Sequence, residues 1–220
     1  MAGREFTQCW LLRGGGGALL LGSVAYILHL VLRSVVTASS ALEVASTAGS
    51  WIPIHLLGLA GAVLVLLGLP AIVPRFADAG RGASMGLALL AVSWVFFGLF
   101  LTLYGLLVLP WLARSAPFLL QEAPPRAFVI MFAAALLLWL AGTVLVAIPW
   151  LRQSQQPTWM AYALLASGVL AVLGNLVLAP SGPASNLALN LLSNMGPVPL
   201  LAAFAHLGFQ LRSEHVLQHS

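Results

Sequence analysis

The residues most able to carry chemistry in this chain are a few polar side chains inside long apolar stretches. Tyr26, His29, Arg33 and Thr37 recur at helical spacing in the first of these stretches, so they occupy one face of a helix. An ionisable group is costly inside a bilayer and has to face protein or water, which makes each one a candidate for function. This face therefore predicts a polar site within the membrane.

A second histidine stands near the start of the next apolar stretch. The residues from Trp51 to His55 suit the first turns of a helix, because Pro53 is tolerated there. With a rise of about 1.5 Å per residue, the depths of His29 and His55 differ by only about 6 Å. The pair is open to two interpretations. Both imidazoles could be axial iron ligands of haem b. In the structural alternative, His29 donates one hydrogen bond to a neighbouring helix, His55 caps an interface, and Arg33 snorkels to the outer surface.

Amide side chains form a second polar line near the end of the chain. Asn186, Asn190 and Asn194 recur every four residues, and Pro197 and Pro199 follow them. The prolines remove two backbone donors and free upstream carbonyl groups, so we expect the helix to break beside a polar pocket. The structural alternative is that the amides are contacts between helices.

The two polar lines together define the predicted site. Its ligand-binding residues are His29, Arg33, His55, Asn190 and Asn194. We assign no catalytic residue and no metal ligand, because the chain has no His-Glu-x-x-His, Gly-x-Ser-x-Gly or Cys-x-x-Cys motif. The single cysteine excludes an intrachain disulfide and a redox pair.

These features favour a non-enzymatic protein. It is expected to be an accessory subunit, or a binder or carrier of a small lipophilic ligand in an outward-side polar cavity. The alternative is a haem-binding redox protein with His29 and His55 as axial ligands. An intramembrane enzyme that acts on a lipid has the least support, because no nucleophile and base are recognisably arranged.

The elements that must position these residues are transmembrane helices. The chain of 220 residues is 61% hydrophobic and 6% charged, whereas a soluble domain is about one quarter charged. A spanning helix needs roughly 20 apolar residues. We predict a single all-α membrane domain over residues 1–220, a polytopic helical bundle of about six spans. The spans lie near residues 18–36, 52–73, 85–112, 128–150, 159–179 and 187–211.

The arginines predict the orientation of this bundle. Six lie at the tails and even-numbered connections, and two lie on the opposite side; Arg33 stands at a helix end and is left out. The six are Arg4, Arg13, Arg75, Arg81, Arg152 and Arg212, and the two are Arg114 and Arg126. The positive-inside rule then places both termini in the cytoplasm, with Trp51 and Trp111 at the outer boundary. Because the arginines are scattered, they do not form a nucleic-acid-binding face.

Glycines and a short repeat give further expectations. Residues 59–65 (LAGAVLV) recur as residues 140–146 (LAGTVLV), which predicts that the second and third helices repeat in the fourth and fifth; the alternative is a chance match. Buried glycines should let the helices approach closely. Residues 14–17 are four glycines and are expected to form a flexible lead into the first span, which we predict to be a retained helix and not a secretory signal.

The layout resembles a loose group of bacterial multi-pass membrane proteins classed as domains of unknown function. The resemblance is carried by the segment WIPIHLLG from Trp51, by Leu109-Pro110-Trp111-Leu112, and by the short loops that contain arginine. We expect the chain to lie in a bacterial inner membrane, with the lipid bilayer as a partner and a lipophilic small molecule or a membrane protein as a further one. The resemblance implies a compact helical bundle. It implies no particular activity and assigns no functional residue.

Overall fold

The structure is a computed structural model that describes residues 2–36, 49–116, 126–152, 157–177 and 194–218. Side chains are described from residue 14 to residue 213 within these ranges. Regular secondary structure in these ranges is entirely helical. The prediction of an all-α chain is therefore confirmed for the part of the chain that the structure describes.

The described ranges contain six helices. They are α1 (Ala2–Val36), α2 (Trp51–Asp78), α3 (Arg81–Ser115), α4 (Arg126–Arg152), α5 (Thr158–Val172, extended by a π-helical turn, Leu173–Val177) and α6 (Val198–Gln218). The first five are long and apolar enough to cross a membrane. This agrees with a multi-pass membrane protein and with the first five predicted spans.

Helix α3 is continuous but changes its hydrogen-bond pattern twice. It contains two π-helical stretches, Val95–Phe100 and Tyr104–Val108. A π-helix bonds each carbonyl group to the fifth residue along and makes the chain bulge, and such bulges are frequent at functional sites. The first of these stretches and the π-helical end of α5 both border the cavity described below.

Small residues bring α1 and α2 close together. A methyl group added at Gly22 would lie 2.9 Å from the carbonyl oxygen of Gly61, so the two backbones touch. Close van der Waals contact of this kind holds helices together in lipid, where the hydrophobic effect between helices is absent. The expectation of a flexible glycine lead was wrong, because Gly15 is helical and lies against Ala71 of α2.

The same contact recurs between α3 and α4. Gly86 lies against Gly142 as Gly22 lies against Gly61, with 2.9 Å between the added methyl group and the carbonyl oxygen in both cases. The repeated seven-residue segment contains Gly61 in α2 and Gly142 in α4. Both copies pack on the preceding helix, so the repeat in the structure relates the α1–α2 pair to the α3–α4 pair. The sequence had predicted that α2 and α3 repeat in α4 and α5.

The last predicted span is divided. Residues 187–193 lie outside the described residues; Asn194 is helical, the chain turns through Pro197, and α6 begins at Val198. Pro199 falls in the first turn of α6, where a missing N–H leaves no helical hydrogen bond unmade. The predicted break at the prolines is therefore present, and it precedes α6.

Helix α6 closes the bundle against α1. Gly208 lies against the backbone of Gly16, because a methyl group added at Gly208 would meet the Gly16 carbonyl oxygen at 2.5 Å. One cluster of buried apolar side chains contains members of all six helices. The described helices thus share a single core.

Trp51, which the sequence predicts at the outer boundary of the membrane, is buried instead. Trp51 is 1% exposed, and its indole N–H donates a hydrogen bond to the carbonyl oxygen of Gly105 at 2.8 Å. Trp150 is also buried, whereas Trp111 and Trp159 are exposed. Only the exposed pair suits the amphipathic belt at a membrane interface.

Candidate functional site

A cavity of about 140 Å³ lies between α1, α3, α4, α5 and the turn that precedes α6. It occupies the half of the bundle that contains the C-terminal ends of α1 and α5 and the N-terminal half of α4. Leu30, Leu101, Leu136 and Ala171 supply apolar lining. The remaining lining residues, apart from Pro197, are polar or aromatic, and they give the cavity its chemistry.

Four polar side chains line the cavity. Arg33 and Tyr26 come from α1, Asn175 from the π-helical end of α5, and Asn194 from the segment before the break. The side-chain amide of Asn175 donates a hydrogen bond to the carbonyl oxygen of Ala171 at 2.8 Å, which fixes its direction. The cavity therefore offers a guanidinium group, a phenol and two amides in one place.

Tyr26 is held in position by the first π-helical stretch of α3. Its hydroxyl donates a hydrogen bond to the carbonyl oxygen of Phe97 at 3.1 Å and shares a second with the hydroxyl of Thr102 at 3.2 Å. A buried phenol without such partners would carry a desolvation penalty of about 1–3 kcal/mol. The π-helical stretch thus anchors a polar side chain from a neighbouring helix beside the cavity.

An aromatic wall faces the polar side chains. The rings of Phe97 and Phe132 pack edge to face with centroids 5.3 Å apart, and Phe97 and Trp139 do so at 5.8 Å. Edge-to-face contacts of this kind stabilise a pair beyond the area it buries. These rings form a preorganised apolar surface, suited to a ring or an acyl segment of a ligand.

The break before α6 is tied to this wall by hydrogen bonds. The indole N–H of Trp139 donates to the hydroxyl of Ser167 at 3.1 Å, and that hydroxyl donates to the carbonyl oxygen of Gly196 at 2.6 Å. Gly196 is also in direct contact with Ala171, because a methyl group added at Gly196 would lie 2.7 Å from the Cα atom of Ala171. The chain that carries Asn194 and Pro197 is thereby fixed against α4 and α5.

His29 and His55 form a separate buried pair, 0% and 1% exposed. The Nδ1 atom of His29 donates to the carbonyl oxygen of Ile54 at 2.8 Å, and that of His55 donates to the carbonyl oxygen of Trp51 at 3.0 Å. Because a carbonyl oxygen only accepts, Nδ1 carries the hydrogen in both neutral rings. The Nε2 atom of His29 is buried without a hydrogen-bond partner among the described residues.

The geometry of this pair does not fit a haem held between the two rings. The porphyrin plane would have to pass between two axial imidazoles, but the rings are in edge contact with centroids 5.1 Å apart. Each ring is also in contact with backbone, because Gly58 lies against the ring of His29 and Gly105 lies against the ring of His55. Within the described ranges, no group of three His, Cys, Asp or Glu side chains could hold a metal ion.

The structure brings together only part of the predicted site. Arg33 and Asn194 line the cavity, whereas His29 and His55 are not among the described residues that line it. Tyr26 separates the two groups, because its ring packs on that of His29 with centroids 5.2 Å apart and also lines the cavity. Asn190 lies outside the described residues.

The aromatic wall was missed by reasoning from the sequence. Phe97, Phe132 and Trp139 stand among many apolar residues, and no spacing distinguishes them from ordinary core residues. Asn175 did carry a signal, as a lone amide within an apolar stretch. Comparison of the chain with known protein families, with curated proteins and with solved structures found no match. The site is therefore interpreted from its own geometry.

Proposed function

We propose that this protein binds, and carries, a small lipophilic ligand in the cavity between α1, α3, α4 and α5. The observation that supports the proposal is a cavity of about 140 Å³ with polar groups and an aromatic wall, inside an apolar helical bundle. A concave and largely apolar site with a few converging polar groups is typical of a pocket that binds a small molecule. An engineered cavity of about 150 Å³ holds benzene. The available space therefore suits one ring or a short acyl segment.

The lining residues favour binding over catalysis. Among the described residues at the cavity there is no Ser, Thr, Cys, His, Lys, Asp or Glu. Acyl or phosphoryl transfer needs a nucleophile close to a base, and neither is present in that set. The hydroxyl of Tyr26 is already engaged by Phe97 and Thr102. Amides and a guanidinium group that fix the orientation of a bound molecule are typical of a recognition site.

We propose in addition that the chain crosses a bacterial inner membrane six times, with both termini in the cytoplasm. The excess of arginine at the tails and even-numbered connections supports this orientation. The sixth crossing would include α6. In this orientation the cavity lies in the outer half of the membrane, so its ligand would enter from the outer leaflet or from the outer aqueous side.

Native mass spectrometry of the protein purified in mild detergent tests the ligand proposal. Leu101 lines the cavity, so Leu101→Trp should fill it, whereas Leu107 is 62% exposed on the same helix. We expect a bound small molecule on the wild type and on Leu107→Trp, and its loss from Leu101→Trp. Equal occupancy of all three proteins would place the molecule on the outer surface and contradict the proposal, as would a wild-type protein without any bound molecule.

A further inference from the structure

The polar groups of the cavity carry charge of only one sign. Arg33 is the one cationic side chain among the described lining residues, and no carboxylate is found in that set. The other polar members, Tyr26, Asn175 and Asn194, are neutral. A positive charge at a low-dielectric site attracts an anion more strongly than the same charge does in water. This asymmetry points to the charge of the ligand.

We infer that the ligand is a single-chain anionic amphiphile whose carboxylate or phosphate head binds at Arg33. The inference rests on the proposed function, because it assigns a chemical class to the molecule in the same cavity. A guanidinium group presents a planar fork of five N–H donors that matches the oxygens of a carboxylate or phosphate. Arg33 also interacts elsewhere in the protein. Its number of donors allows it to bind a protein group and a ligand together.

The size of the cavity suits the head of a single-chain amphiphile. A volume of about 140 Å³ accommodates a head group and the first part of one chain. Phe97, Phe132 and Trp139 offer that first part an apolar surface. The rest of the chain would extend into the bilayer, where it gains the free energy of burial in hydrocarbon.

A matched set of probes tests this assignment. Purified wild-type protein is titrated with oleate, with oleyl alcohol and with acetate or inorganic phosphate, and binding is followed by native mass spectrometry and by thermal stability. We expect oleate to bind at least about tenfold more tightly than oleyl alcohol, since a charge-assisted pair is lost with the alcohol. The soluble anions should bind much more weakly than oleate because they lack the chain.

Variants identify Arg33 as the source of the preference. Arg33→Gln should remove the tenfold advantage of oleate and leave the affinity for oleyl alcohol unchanged, and Arg33→Lys should retain part of the advantage. Arg114, exposed on the same half of the bundle, is the control: Arg114→Gln should behave as the wild type. If Arg33→Gln does not fold, a smaller oleate preference in Arg33→Lys than in Arg114→Gln supports the same assignment, and an unchanged preference in Arg33→Lys counts against it.

Each remaining outcome is decisive in a different way. Equal binding of oleate and oleyl alcohol to the wild type would overturn the anionic class and leave the proposed function standing. Equal binding of oleate and of acetate or phosphate would show a site for a soluble anion and overturn the amphiphile. An oleate preference that persists in Arg33→Gln would remove Arg33 from the site. Failure of every amphiphile to bind, with no difference for Leu101→Trp, would count against the proposed function itself.

Discussion

One stripe of α1 carries Tyr26, His29 and Arg33, but these residues belong to two different sites, the cavity and the histidine pair. Successive residues of a helix are about 100° apart, so Tyr26 and Arg33 differ by roughly 20° around α1 and His29 stands about 60° from Tyr26. Tyr26 and Arg33 are close in angle and both line the cavity. The ring of His29 lies further around the helix and contacts Gly58 of α2. The sequence predicted a polar stripe, of which Thr37 lies outside the described residues, but it could not show which edge of that stripe meets which helix.

The histidine pair depends on glycine at two positions. Gly58 lies so close to His29 that an added methyl group would come 2.6 Å from the ring, and Gly105 has the same relation to the Nε2 atom of His55 at 2.5 Å. Both histidines are locked by hydrogen bonds to backbone carbonyl oxygens. Neither ring can move aside without breaking one of these bonds.

Gly58→Ala should therefore destabilise the protein by about 1–3 kcal/mol, because overpacking forces a buried ring off its position. Thermal unfolding in detergent, followed by size-exclusion chromatography, measures this as a lower midpoint temperature. Gly17→Ala is the control, since no atom lies within 4 Å of its added methyl group. A Gly58→Ala protein as stable as Gly17→Ala would show that the ring of His29 is free to move.

At the scale of elements, the bundle is built from two helix pairs with the same glycine contact. Apolar runs in the sequence were enough to predict α1 to α5, because crossing a membrane demands length and apolarity more than any particular residue. The sequence did not predict which helices pack against each other, because glycine is common throughout the chain and its spacing does not identify the neighbouring helix. The break before α6 was predictable from Pro197 and Pro199, but the π-helical stretches of α3 were not, as no residue type marks them.

The shared contact predicts matched effects in the two pairs. Gly22→Ala and Gly86→Ala should each lower the free energy of unfolding by about 1–3 kcal/mol, because each would push apart two backbones in contact. Gly82→Ala, at the start of α3 with nothing within 4 Å of the added methyl group, should be neutral. Thermal unfolding of the three variants under one condition compares them. A large effect of Gly22→Ala without one of Gly86→Ala would show that the two contacts are not equivalent in energy.

At the scale of the whole molecule, the arrangement of helices places the cavity in one half of the membrane. The proposed orientation makes that the outer half. A background without the native thiol, Cys9→Ser, allows single cysteines to be introduced at Gly82, in the first turn of α3, and at Ser115, the end of α3.

The orientation predicts that a membrane-impermeant maleimide labels Ser115→Cys on intact cells and labels Gly82→Cys only after the membrane is opened. The physical reason is the separation of these positions by the full length of α3, from Arg81 to Ser115, which is long and apolar enough to span a bilayer. Labelling of Gly82→Cys on intact cells, with Ser115→Cys protected, would invert the topology and place the cavity in the inner half.

The central claim is that the cavity holds a lipophilic ligand between Arg33 and the aromatic wall. The measurement that tests it most directly is an experimental structure of the protein extracted with its native lipids into nanodiscs, at a resolution that shows side chains. We predict non-protein density in the cavity, with its polar end at Arg33 and its apolar part against Phe97 and Trp139. A cavity filled by the protein's own side chains, with no room for another molecule, would contradict the account.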